Sequence, residues 1–100
     1  LCKVPRLSSN VTSSWAQYTI VVNDQKAVQS RLMEQGIPSV IYYPIPLTKQ
    51  IGYSNYPKVS SKTRVSEDLA SSVLSLPMHP YLTSFSQSHV LKKLIPLLKS

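Results

Sequence analysis

A chain of 100 residues, 42% of them hydrophobic and 15% charged, makes one small globular domain at most, and a domain of that size buries too little surface to be more than marginally stable. Eleven Lys plus Arg against four Asp plus Glu give a net charge of +7. The cations are scattered rather than massed, which argues for solubility or for balance by other parts of a larger protein, then for an anionic small ligand, and against nucleic acid or a membrane surface. The single cysteine, Cys2, excludes an internal disulfide; no apolar run approaches a membrane span, and the first fifteen residues hold no apolar signal segment, so the expected compartment is the cytoplasm.

Residues 1–14 read as an irregular, Ser-rich leader, and the start at Leu1 rather than Met suggests a fragment of a longer protein. Residues 15–22 alternate like a strand, with Ala16, Tyr18, Ile20 and Val22 on one face and Trp15, Gln17, Thr19 and Val21 on the other. Asn23 or Asp24 then offers an N-cap for a helix over 24–35 whose narrow apolar stripe is Val28 and Leu32, with Ala27 and Met33 at its margins. Gly36 suits the left-handed position that stops such a helix. Pro38 forces Ile37 to be extended, and residues 39–43 predict a second strand, completing a strand–helix–strand unit.

Residues 44–62, with Pro44, Pro46 and Pro57, predict a long ordered loop. A second helix is expected over 63–74, with Val65, Leu69 and Val73 in one stripe, followed by a short extended run over 74–77 and a turn-rich link over 78–83. Thr83 is placed to cap a third helix over 84–95, with Phe85, Val90, Leu91 and Leu94 facing inward and Pro96 kinking or ending it. The fold class expected is α/β (α+β): a small sheet with helices packed on one face.

Little of this carries chemistry by itself. Trp15, Tyr18 and Ile20 read as core and interface. His79 sits in a Pro-rich turn as a structural residue, and His89 lies on the last helix with no partner at metal-ligand spacing. The carboxylates are Asp24, Glu34, Glu67 and Asp68; the last two are adjacent on a helix and point apart. HExxH, CxxC, P-loop and GxGxxG patterns are all missing. The candidate binding residues are Tyr42 and Tyr43, at the end of a predicted strand feeding a rigid Pro-x-Pro loop. Alternation puts their rings on opposite faces, one packed inward and one at the rim.

Trp15-Ala16-Gln17-Tyr18, then Gly36-Ile37-Pro38, then Tyr43-Pro44-Ile45-Pro46-Leu47 with Gln50, then Leu74-Ser75-Leu76-Pro77-Met78-His79-Pro80 with Leu82 form an ordered set over about residues 13–95. Together they resemble the C-terminal end of the DegT/DnrJ/EryC1/StrS family, the pyridoxal-phosphate (PLP) aminotransferases that act on nucleotide-linked sugars. The resemblance implies that residues 1–100 are the C-terminal small domain of a fold-type I PLP aminotransferase, with an irregular leader over 1–14 and an α/β core over 15–95. It implies a homodimeric parent that moves an amino group from an amino acid such as glutamate to a keto carbon of a nucleotide sugar. It gives Tyr43, and secondarily Tyr42, a substrate-side position.

Tyr42 and Thr48 stand where the family often has histidine, which unsettles the sugar preference. The lysine, the acid and the phosphate donors that PLP requires belong upstream. The resemblance therefore implies no catalytic, cofactor-binding or metal-binding residue within these 100, no PLP bound by this part alone, and no transamination by it. A basic surface suits a diphosphate-bearing ligand. A standalone basic regulatory or binding module is the alternative. A purely structural fragment, with apolar surface exposed around Ile95, Leu97 and Leu98, is a third reading compatible with the first.

Overall fold

The computed structural model describes residues 2–59 and 61–99. In chain order its elements are β1 (Tyr18–Val21), α1 (Gln25–Glu34), two 3-10 turns at Leu47–Lys49 and Ile51–Tyr53, α2 (Arg64–Ala70), β2 (Val73–Leu76) and α3 (Ser84–Leu98). The β-branched and aromatic run Tyr-Thr-Ile-Val suits a pleated, half-buried surface. It pairs antiparallel with β2, Tyr18 opposite Leu76 and Ile20 opposite Leu74. Two further segments touch this ribbon by single bridges: Lys3 joins β1 at Val21, and Val40 joins β2 at Ser75.

The two faces of the ribbon do different work. Ile20 and Leu74 share one face, and with Val22, Val28, Leu32, Ile37 and Leu94 they form the buried core under α1 and α3. Alternation sends Thr19, Val73 and Ser75 to the other face, where the hydroxyls of Thr19 and Ser75 lie 2.8 Å apart.

Local chemistry explains the helix ends. The Asp24 carboxylate accepts the Ala27 N–H at 3.2 Å and caps α1. At its other end Gly36 adopts φ +76°. The Ile37 N–H then reaches the Leu32 carbonyl and the Gly36 N–H the Met33 carbonyl, a Schellman closure with Leu32 and Ile37 both buried. The Thr83 hydroxyl accepts the Ser86 N–H at 3.1 Å and caps α3. Gln25 is buried, and its amide donates to the carbonyls of Ala70 and Val73, tying α1 to the joint between α2 and β2. The core stripe Val28 and Leu32, the Asp24 and Thr83 caps, and the Gly36 stop all follow the sequence pattern.

Several expected elements differ. The first strand begins at Tyr18, not at residue 15, because Trp15 takes a left-handed φ of 49°, a costly conformation for a bulky residue. Its ring then lies 5.4 Å from that of Tyr18 instead of on the opposite face. Residues 39–43 form no strand; only Val40 bridges β2, so the strand–helix–strand unit lacks its second strand. Residues 44–62, expected as one loop, contain the two 3-10 turns.

The second helix stops at Ala70. The hydroxyls of Ser71 and Ser72 both donate to the Asp68 carbonyl, competing with the helical ladder. Val73 therefore belongs to β2, and Val65 is 74% exposed, with Ala70 as the buried helix residue. On α3, Phe85 is 82% exposed: nine residues are two and a half turns, which sets it opposite Leu94. Leu91 is also exposed, and the inward stripe is Val90, Leu94, Leu97 and Leu98. Pro96 falls in the last turn, and the helix runs past it to Leu98. Of the apolar surface expected at the C-terminal end, Ile95 is exposed while Leu97 and Leu98 pack against the core.

Candidate functional site

On the ribbon face away from the core helices lies a groove of about 440 Å³. Tyr42 and Tyr43 line it together with Pro46, Leu47 and Gln50 from the segment that follows them, and Leu69 and Ala70 of α2 and Val73 of β2. Past Val40 the chain has left the sheet, so strand alternation does not govern the two tyrosines. Their rings meet edge to face, with centroids 5.5 Å apart at 65°. The peptide between them is cis. Both are exposed, Tyr43 at 69%; the expectation that one packs inward is corrected, and both rings are presented together at the rim.

The segment after the tyrosines is held by short-range bonds. The Lys49 N–H donates to the Pro46 carbonyl and the Gln50 N–H to the Leu47 carbonyl, closing the first 3-10 turn. The Gln50 side-chain amide reaches back to the Ile45 carbonyl at 3.4 Å. Tyr53 and Tyr56 stack edge to face at 5.2 Å in the next turn. Thr48 Oγ1 lies 3.3 Å from Thr63 Oγ1, joining the first turn to the start of α2. Lys49 adds an ion pair to Glu67 at 3.5 Å. Pro44 and Pro46 restrict the backbone further, so the groove's shape costs little entropy to hold.

Chemically, the groove offers two phenolic hydroxyls, the Ser66 hydroxyl and the Gln50 amide beside aliphatic walls. That set binds and orients; it contains no carboxylate, imidazole or amine. Glu67 pairs with Lys49 and Asp68 with Arg64. His79 is a turn residue whose Nδ1 accepts the Tyr81 N–H at 3.2 Å, and His89 is exposed on α3. A PLP site requires a lysine for the covalent link and an acid for the ring nitrogen. Lys49 is the lysine nearest in sequence to the tyrosines, and it pairs with Glu67 outside the groove. The residues of the groove do not by themselves fit PLP.

The sequence pattern singles out the tyrosine pair and carries no signal for the groove residues Ser66 and Ala70, while the spacing of Leu69 and Val73 reads as one helical stripe.

The family model for the DegT/DnrJ/EryC1/StrS aminotransferase family matches residues 2–95. The chain is 39% identical, over 82 of its residues, to the UDP-2-acetamido-2-deoxy-3-oxo-D-glucuronate aminotransferase of Pseudomonas aeruginosa, and spans 22% of that enzyme's length. Among solved structures, a DegT DnrJ EryC1 StrS aminotransferase from Brucella abortus superimposes on 99% of this chain with a TM-score of 0.93 and 39% identity, the match covering 26% of that chain. NtdA from Bacillus subtilis, solved with bound cofactor PMP, superimposes on 99% with a TM-score of 0.83 and 26% identity, covering 23% of its own chain.

Proposed function

The chain belongs to the DegT/DnrJ/EryC1/StrS aminotransferase family, and we propose that it forms the C-terminal small domain of a PLP-dependent enzyme that transfers an amino group to a keto carbon of a nucleotide-linked sugar. The observation that carries this reading is the superposition of almost the whole chain on about a quarter of a solved aminotransferase of the same family. The remaining three quarters of such an enzyme would supply the cofactor lysine, the acid and the phosphate donors that the groove lacks. PLP, bound there, would supply the electron sink for moving the amino group.

In this reading the 100 residues bind and enclose. Tyr43 and Tyr42 present hydroxyls toward the sugar nucleotide, Gln50 and the aliphatic wall orient it, and the 3-10 turns cover the site and keep water out. The parent is a cytoplasmic homodimer that takes its amino group from an amino acid such as glutamate. The isolated chain binds no PLP and does not transaminate.

The test is a visible absorption spectrum of the complete gene product with added PLP, before and after borohydride. A cofactor band that borohydride abolishes, with the label on a lysine upstream of Leu1, supports the reading. A complete product that shows no band sinks it and leaves the regulatory or binding module as the better account.

A further inference from the structure

Two glutamines stand one turn apart on α1, and neither lines the tyrosine groove. Each nevertheless bonds the backbone of a segment that frames it. Gln25 is 5% exposed, and its Nε2 donates to the carbonyls of Ala70 at 3.1 Å and Val73 at 2.6 Å. Both of those residues line the groove. Gln29 Nε2 donates to the Ser39 carbonyl at 3.1 Å. Ser39 stands three residues before Tyr42, and the intervening Val40 is bridged to Ser75. One turn of helix is thus bonded both to the strap that delivers the tyrosines and to the α2–β2 joint.

We infer that Gln25 and Gln29 are positioning residues, a two-point brace through which α1 fixes Tyr42 and Tyr43 relative to Ala70 and Val73 and so sets the width of the groove. The ladder shows why β2 needs the first tether. The Val22 N–H donates to the Ser72 carbonyl, so the next carbonyl, that of Val73, turns away from β1. Ala70 closes α2, where carbonyls run out of helical donors. One side-chain amide answers both. A buried amide adds less to a core than an aliphatic side chain would and is tolerated only when its hydrogen bonds are made. What it gives here is direction: an aliphatic residue at position 25 would fill the space without fixing where Ala70 and Val73 lie. The inference deepens the proposed function, and its bearing on substrate rests on that reading.

The experiment uses the complete gene product grown with 3-fluorotyrosine, its Tyr42 and Tyr43 fluorine signals assigned through Tyr42→Phe and Tyr43→Phe. Methionine keeps the length of glutamine and its helix propensity but cannot donate. In Gln25→Met/Gln29→Met the signals of Tyr42 and Tyr43 are expected to shift and broaden, while those of Tyr53 and Tyr56, paired with each other in the next turn, stay in place. Gln29→Met alone should move the same two signals, and Gln29→Lys, which keeps an N–H donor, should return them. Val28→Ala loosens α1 in the core without cutting either tether, and should lower the unfolding midpoint with Tyr42 and Tyr43 unmoved. Unmoved signals in the double methionine variant overturn the inference, as does an equal displacement in Val28→Ala, which would make the groove a follower of stability alone. Should Gln25→Met fail to fold, unmoved signals in Gln29→Met overturn it by themselves. The fluorine signals need neither cofactor nor turnover, so failure of the aminotransferase reading, seen as a missing cofactor band in the wild type, is distinguishable from failure of the brace.

Discussion

Leu74 exposes none of its surface and faces Ile20 across the ribbon at the centre of the core. Truncating it to alanine leaves a cavity that the sheet and two helices cannot close together, and costs about 3 kcal/mol. In a chain of 100 residues that is a large share of the total stability, so Leu74→Ala should lower the denaturant midpoint sharply without changing the groove. Tyr43 is the opposite case. It is exposed and contributes little to stability, so Tyr43→Phe should leave the unfolding midpoint within experimental error. Under the proposed function, it should raise the complete protein's KM for a nucleotide-sugar substrate about fivefold, the worth of one net hydrogen bond. An unchanged KM would remove Tyr43 from the substrate.

At the scale of elements, capping is the most exposed dependency. The Thr83 hydroxyl accepts the Ser86 N–H at the start of α3, the helix that contributes Leu94 to the core. Thr83→Ala should cost about 1 kcal/mol, read as a lower midpoint in urea, with Thr83→Ser close to wild type. This signal was legible in the sequence, as were Asp24, Gly36 and the pair Val28 and Leu32, because each is set by neighbours within four residues. What was not legible depends on contacts across the chain. Residues 39–43 have strand-like composition, yet the ribbon accepts only Val40. Val73 fits a helical stripe by spacing, but two serine side chains end α2 first and hand it to β2. The tyrosines were found by their position before a Pro-x-Pro loop; their edge-to-face contact was not, because strand alternation had set them apart.

The whole molecule is less compact than its length requires. Its radius of gyration is 15.8 Å, with extents of 47 × 36 × 23 Å, against about 13 Å for a compact chain of 100 residues. The segment after the tyrosines presents Leu47, Tyr56, Val59 and Ile51, the last at 91% exposure. Apolar surface gathered in one segment marks an interaction site or an association hazard. Residues 1–100 alone should therefore sediment above the 11.2 kDa monomer mass at micromolar concentration, and Leu47→Ser/Ile51→Ser should restore the monomer. The two single bridges bear on how such association proceeds. With Lys3 laid along β1 and Val40 along β2, both outer rims of the ribbon are partly occupied, and another molecule finds few free backbone groups to extend the sheet. Copies should meet through side chains and stay dissolved as small oligomers. Deleting residues 1–6 uncovers the β1 rim, and that shorter chain should form fibrils that stain with thioflavin T while the intact one does not.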